Sequence, residues 1–340
     1  MTKPDWIVIG AGVIGLSAAW ALAQDGQRVE VVEASRVGDG TSSKAAGMLL
    51  PEVESVHSSQ LFPMAAESLA LYPAWVSALE GASGQAVGYA ATGCLVLAEA
   101  KAFSKTWPGL PASLGSDLAA AQSGLAAGLA GCYLPNGAQV DPPLLMAALQ
   151  TACLKAGVTI REHAAVTEIR RVADRWLGIT AGQDRLVANH YLLATGAWTS
   201  ELTAELDVDL GIFPVKGQMV ELKAPVDALS AILFGPGVYL CQKQDGRVLV
   251  GATSERVGFD LAVSEQAVAD LLTRAAKLLP VVASWPIQRS WAGLRPGREG
   301  LPVIEAISQN ALAAVGHYRN GILLAPLTAA RLCELARQIA

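Results

Sequence analysis

Two periods of apolar residues alternate along this chain, and its first forty residues contain both. Trp6-Ile7-Val8-Ile9 is an unbroken apolar run of strand length, and Val29 to Val32 is a second that ends on Glu33. Between them Val13 to Gln24 reads as a helix, small and apolar on the side of Ala18, Ala19 and Ala21, and it stops at Asp25-Gly26. The pattern predicts further helices from Met64 to Leu79, Pro142 to about Ala156, Ser264 to Leu279, and about Leu323 to Ile339. Asp141 is the expected N-cap of the second of these, with proline in its first turn and Gly157 ending it. Strands are predicted at Gly93 to Leu97, Val158 to Ile160, Ala165 to Arg171, Leu177 to Ile179, Tyr191 to Ala194, and Ala311 to Val315. From Phe213 the pattern turns antiparallel. Val238 to Gln242 and Arg247 to Ala252 flank Lys243-Gln244-Asp245-Gly246, whose Asp-Gly pair marks a hairpin. The apolar tract from Leu118 to Leu134 is rich in alanine and glycine and reads as helix and loop.

The junction of the first strand and helix carries the strongest chemical signal. Gly10-Ala11-Gly12-Val13-Ile14-Gly15 joins them, and with the second strand and Glu33 it forms a dinucleotide-binding βαβ unit. Gly10 permits the tight turn, Gly12 lets a pyrophosphate approach the backbone, and Gly15 lets the helix pack closely. The helix N-terminus carries roughly half a positive charge toward that pyrophosphate. Glu33 can accept hydrogen bonds from a ribose with free hydroxyls, which favours FAD or NAD over NADP. The following stretch, Gly38 to Leu49, is too rich in small residues for a strand core and lets the backbone approach something flat or anionic.

Composition narrows the classes. Of 340 residues 52% are hydrophobic and 16% charged, which suits a large buried core and excludes disorder. A net charge of −5 gives no surface for nucleic acid or a polybasic membrane contact. No transmembrane span is evident. The first strand begins almost at once, so no signal peptide is expected and a cytoplasmic location follows. The five cysteines are scattered without metal spacing and read as buried thiols, and the four histidines are too dispersed for a metal cluster.

Further segments join the first. Ala45-Ala46-Gly47-Met48-Leu49, Tyr191 to Trp198, Phe213-Pro214-Val215-Lys216-Gly217-Gln218, Trp291 to Gly297, and Gly316 to Pro326 follow in order. Together with the nucleotide loop, they make the chain resemble the D-amino-acid oxidase superfamily of flavoenzymes, and within it the glycine oxidases of thiamine biosynthesis. The resemblance covers nearly the whole chain. It implies an α/β composite, a Rossmann-like FAD-binding domain with an inserted, mostly antiparallel β substrate domain. The expected division is 1–80, 140–208 and 290–340 for FAD, and 81–139 and 209–289 for substrate.

The resemblance also implies site residues. Gly10, Gly12, Val13, Ile14, Gly15, Glu33 and Ala34 would hold the dinucleotide, with Val166 touching the adenine end through its backbone. Thr41, Ser42, Ala46, Gly47 and Met48 would lie along the flavin. His317, Tyr318, Arg319, Asn320, Gly321, Ile322 and Leu323 would pass beneath the ring. There a glycine turn opening the last helix offers free N–H groups to the edge that becomes negative on reduction. FAD would be noncovalent, since no cysteine lies between Trp291 and Glu305. Arg295 would grip a substrate carboxylate bidentately, with Arg319 facing the same site and Tyr239 hydrogen-bonding the substrate. Taken alone, either arginine reads first as a structural ion pair, and Tyr239 as a packing residue; the resemblance is what turns them toward the substrate.

Two departures from the family stand out. Gly237 and Ser254 replace bulkier residues near the tyrosine, which would admit something larger than glycine. Lys44 replaces a small or aromatic residue beside the flavin, as a solvated lysine or as a cation that alters oxygen reactivity. The implied activity is oxidative deamination of a small amino acid such as glycine, sarcosine or a small D-amino acid, with molecular oxygen as acceptor. A quinone-using D-amino-acid or imino-acid dehydrogenase, a NAD-dependent dehydrogenase and a non-catalytic flavin-binding partner are the alternatives. A homo-oligomer is the leaning.

Overall fold

The computed structural model of the chain describes residues 3–55, 60–114, 116–204, 206 and 208–339. A six-stranded sheet runs in the order Val303–Ser308, Ala311–Val315, His190–Leu193, Trp6–Ile9, Val29–Val32, Thr159–Arg161. Its central strands are parallel, with Ile9 opposite both Leu193 and Val32. Both faces are covered, which is why Trp6–Ile9 is apolar without alternation. Trp6 and Val8 pack with Leu16, Leu145 and Leu324 of three helices, Val13–Gln24, Pro142–Lys155 and Gly321–Ile339. Ile7 and Ile9 turn to the other face, against Trp176 and Ile179 of a small three-stranded sheet.

A second, seven-stranded sheet has the order Ile287–Gly297, Phe213–Lys223, Arg247–Gly251, Val238–Gln242, Ile232–Gly235, Cys94–Glu99, Leu129–Leu134. The hairpin expected around Asp245-Gly246 pairs Leu240 with Val250. One face of this sheet is closed by the helix Glu265–Leu278 through Leu271, Ala275 and Leu278. The other carries Met219, Tyr239 and Leu249, and packs against Ala46, Leu50 and Val53. The segment after the nucleotide loop therefore lies where the two sheets meet. The Ile287–Gly297 strand pairs along Phe213–Lys223, so the stretch from 290 begins inside the seven-stranded sheet.

Several local expectations are corrected. The tract Leu118 to Leu134 ends not in loop but in the strand Leu129–Leu134, because pairing with Cys94–Glu99 overrides its small-residue composition. Asp141 precedes its helix, yet its side chain caps no amide there and instead pairs with Arg247 from the hairpin. The last helix opens at Gly321, two residues earlier than its apolar period suggests. The helix expected over Met64 to Leu79 spans Phe62–Ser83 and continues through Pro73, anchored by fully buried Tyr72 and Leu79. Met48–Leu49, in the small-residue stretch, forms a short strand with Ala138–Gln139. All five cysteines are free and buried. Among the described residues, no helix is long and apolar enough to cross a membrane.

Candidate functional site

One cavity of about 560 Å³ has a lining that begins at the first glycine turn and ends on the seven-stranded sheet. At its first end the backbone dominates. Gly10 sits at φ +105°, and a Cβ there would collide with the carbonyl of Ala194. A Cβ on Gly15 would strike the carbonyl of Gly10, so Gly15 serves helix packing and does not itself line the cavity. Gly12 flanks the helix with no side-chain cap, and the first helical bond runs from Leu16 N–H to the Gly12 carbonyl. Of the preceding amides, that of Val13 donates to Ser42 Oγ at 2.9 Å. The Glu33 carboxylate accepts from the Ala11 amide at 2.8 Å and the Ser35 amide at 2.9 Å. Each of its oxygens thus keeps acceptor capacity. Gly10, Val13, Ile14, Ala34 and Val166 line this end with Gly12 and Glu33.

Along the middle run Thr41, Ser42, Ala46, Gly47 and Met48. The Thr41 hydroxyl bonds the Leu294 carbonyl and ties this segment to the other sheet. Gly47 stands at φ +77°, and a Cβ there would collide with the Val140 carbonyl. A buried cation holds the same turn from behind. Lys243 Nζ donates to the carbonyls of Ala46 at 2.7 Å and Val140 at 2.8 Å, and to Gln139 Oε1 at 2.9 Å. Opposite lies the last helix. Its first i→i−4 bond runs from Leu324 N–H to the Asn320 carbonyl, so the amides of Gly321, Ile322 and Leu323 precede the helical ladder. Gly321 and Ile322 face the cavity, while Leu323 is buried behind them, its carbonyl accepting from Ser68 Oγ. His317 lines the wall, but its Nε2 is 3.0 Å from Thr328 Oγ1 inside the fold, and burial pushes its pKa down to about 3. It is neutral at physiological pH. Tyr318 adopts φ +51°, which aims its hydroxyl to within 3.4 Å of Ser254 Oγ.

The far end is made of side chains. Gly217 and Gly293 stand opposite each other on neighbouring strands and leave a bare floor. The Arg295 guanidinium lies over Gly217, where a Cβ would collide with it, and the stem of Lys44 lies along Gly293. Arg295 Nη1 donates to the Thr253 carbonyl at 3.0 Å and the Lys216 carbonyl at 3.5 Å. Among the described residues no carboxylate pairs with it, and burial lowers its pKa. Tyr239 is buried on its strand, stacked on Phe234, with its hydroxyl 3.6 Å from Met219 Sδ. Burial pushes its pKa up to about 12, so it remains a protonated donor.

Arg319 reaches the same cavity in a different state. It forms a bidentate ion pair with Glu54 of the short helix Pro51–Ser55. Burial alone would lower its pKa, but Glu54 holds it well above the usual arginine value. Sequence reasoning missed Glu54. Its only signal was an acid shortly after the small-residue stretch, and its partner lies 265 residues away. The other site residues implied by the resemblance gather around this one cavity, Gly15 and Leu323 supporting it from behind, whereas Gly237 and Ser254, expected to widen the pocket near Tyr239, line a separate hollow with Leu271 and Arg274.

The donors present fit FAD. Two helix N-termini with uncommitted amides border one cavity, a ribose-competent carboxylate stands at one end, and glycine turns at Gly10 and Gly47 keep the backbone bare. The comparisons agree. The chain is 36% identical to the glycine oxidase of Geobacillus kaustophilus over 98% of its own length and 93% of that protein. It is 35% identical to the bifunctional protein ThiO/ThiG of a Synechocystis species, covering 98% of this chain but 52% of that one. The chain thus spans about half the length of the bifunctional relative. The crystal structure of the Geobacillus kaustophilus glycine oxidase superposes with a TM-score of 0.92 at 35% identity, covering 99% of this chain and 95% of that one. Over residues 5–335 the sequence matches the family described as DAO, FAD dependent oxidoreductase, and the chain belongs to that family.

Proposed function

We propose that this chain is an FAD-dependent oxidase of small amino acids, similar in activity to the glycine oxidases it matches. The carrying observation is Arg295, a partly buried guanidinium on a glycine floor with only carbonyl acceptors, beside the protonated hydroxyl of Tyr239. A guanidinium in that state is matched by a planar carboxylate, which it holds at two points. When bound, FAD supplies the two-electron acceptor for the substrate C–H bond and the relay of those electrons to oxygen.

The protein's share is positioning and electrostatics. Arg295 anchors the carboxylate, and Tyr239 donates a further hydrogen bond to it. Together they orient the amine-bearing carbon toward the middle of the cavity. The amides of Gly321 and Ile322 present positive potential to the segment where Thr41, Ser42 and Ala46 to Met48 would hold the ring. Gly10, Gly12 to Ile14, Glu33, Ala34 and the Val166 backbone would hold the nucleotide, with Gly15 and Leu323 as packing support. Binding is noncovalent in this reading, because none of the five cysteines lines the cavity. His317 takes no part in proton transfer, being neutral and turned to Thr328. The substrate amine then enters as the free base, and water is kept from it by the apolar wall of Met219 and Tyr239. Loss of one hydrogen from the α-carbon and one from nitrogen leaves an imine, which hydrolyses to an oxo acid and ammonia, or the amine where the substrate is N-substituted, and oxygen takes up the two electrons and two protons as hydrogen peroxide.

The test is an anaerobic titration of the FAD-loaded protein with glycine, sarcosine, D-alanine and D-proline, followed in the visible spectrum. Bleaching by at least one, with stoichiometric peroxide when air is admitted, is the expected result. Bleaching without peroxide but with rapid dye reduction would make the chain a dehydrogenase. No bleaching by any amino acid would end the proposal.

A further inference from the structure

Two guanidinium groups line the same chamber in opposite electrostatic states. Arg319 is already spoken for: Nε donates to both oxygens of Glu54, at 3.1 and 3.0 Å, and Nη2 donates to Oε1 at 3.0 Å. The pair is sheltered, with 12% of the Glu54 side chain and 27% of the Arg319 side chain exposed. Both charges act on the Tyr239 hydroxyl, as does that of Arg295, so these groups share one electrostatic neighbourhood. Arg295 makes no ion pair among the described residues. Arg319 and Glu54 cancel, which leaves Arg295 as the uncompensated guanidinium, with Lys44, whose stem lies along Gly293, as a further cation of the chamber.

We infer that Glu54 is a specificity-determining residue: by occupying Arg319 it restricts the site to amino acids bearing one anionic group. The inference rests on the reading of Arg295 as the carboxylate anchor. A substrate with a second carboxylate could use it only by displacing Glu54 from Arg319, which would leave a sheltered carboxylate without its partner. Otherwise the second carboxylate would lie against Glu54 and be repelled. The contacts that favour a monocarboxylate are thus joined by a repulsive element against a dicarboxylate. Glycine, sarcosine, D-alanine and D-proline fall in the accepted class; iminodiacetate and D-aspartate fall outside it.

The FAD-loaded enzyme reports this without turnover. Acetate and malonate serve as unreactive probes, each titrated while the flavin absorbance is followed. The wild type is expected to bind acetate at least about tenfold more tightly than malonate. In Glu54→Gln the freed Arg319 is expected to shift the malonate-to-acetate preference by about tenfold or more toward malonate. The kcat/KM ratio of iminodiacetate to sarcosine should rise in parallel. The double variant Glu54→Gln/Arg319→Met should lose the gain, which separates Arg319 from Lys44 as its source. Wild-type enzyme that prefers malonate, an unchanged preference in Glu54→Gln, or a gain surviving in the double variant would each overturn the inference while leaving the oxidase reading intact. If acetate itself perturbs nothing in the wild type, the anchor role of Arg295 falls, and this inference with it.

Discussion

The two ends of the cavity are built by different means. At the nucleotide end, amides and glycine turns from the contiguous stretch Trp6 to Glu33 do most of the shaping, and side chains other than Glu33 and Ser42 add little. At the amino-acid end, Arg295, Tyr239 and the Glu54–Arg319 pair come from four separate segments, brought together by the seven-stranded sheet and the opening of the last helix. A main-chain site is sensitive to backbone conformation. A side-chain site is sensitive to which charges are already paired. The contrast between Arg295 and Arg319 makes the second point: among the described residues, the same residue type in one cavity has only carbonyl acceptors in one place and a paired carboxylate in the other.

The largest expected effect falls on the side-chain end. Arg295→Ala should lower kcat/KM by about 2–5 kcal/mol while FAD remains bound, because a substrate carboxylate would be left without its partner. Steady-state kinetics with the visible spectrum of the purified variant check both halves. Loss of FAD together with activity would mean that the two ends are not separable.

The main-chain end should break in the opposite sense. Gly10→Ala places a Cβ against the Ala194 carbonyl at a positive φ, so a destabilisation of about 1–3 kcal/mol is expected. FAD retention and Tm should both fall, whereas substrate preference among the molecules still carrying FAD should not change.

A smaller effect sharpens the account of Tyr239. Removing its hydroxyl in Tyr239→Phe should reduce kcat/KM by about 0.5–1.5 kcal/mol. In the wild type the hydroxyl keeps its proton up to about pH 12, so activity should rise with deprotonation of the substrate amine and show no loss governed by a tyrosine near pH 10. A pH–rate profile that falls near 10 would transfer the role to a more exposed phenol.

The effect that is smallest near neutral pH, and grows only on acidification, concerns the wall between the two ends. His317 has a folded pKa of about 3 against an ordinary 6.5, so folding excludes its proton. Its stabilising contribution is present above about pH 6.5 and is lost as pH falls toward about 3, with a loss of about 1–2 kcal/mol by pH 5.5. Denaturant melts of His317→Gln against the wild type should show a shallower acid slope. Equal slopes would mean that the imidazole is not the buried neutral group described.

By itself the sequence determined what depends on neighbours along the chain. The apolar runs of Trp6–Ile9 and Val29–Val32, the glycines that only a bare backbone turn requires, and the acid closing the second strand are all local. So is the hairpin at Asp245-Gly246, whose turn chemistry is written in two residues. Tertiary structure decided the pairing of charges. Asp141 reads as a helix cap but goes to Arg247, and Arg319, which the sequence leaves open between a substrate contact and a structural ion pair, goes to Glu54. A carboxylate's partner is whichever cation folding brings within a few ångströms, and no residue spacing encodes that. The same reason separates Arg295 from Arg319: their chemistry is identical, and only the company each keeps in the folded chain tells them apart.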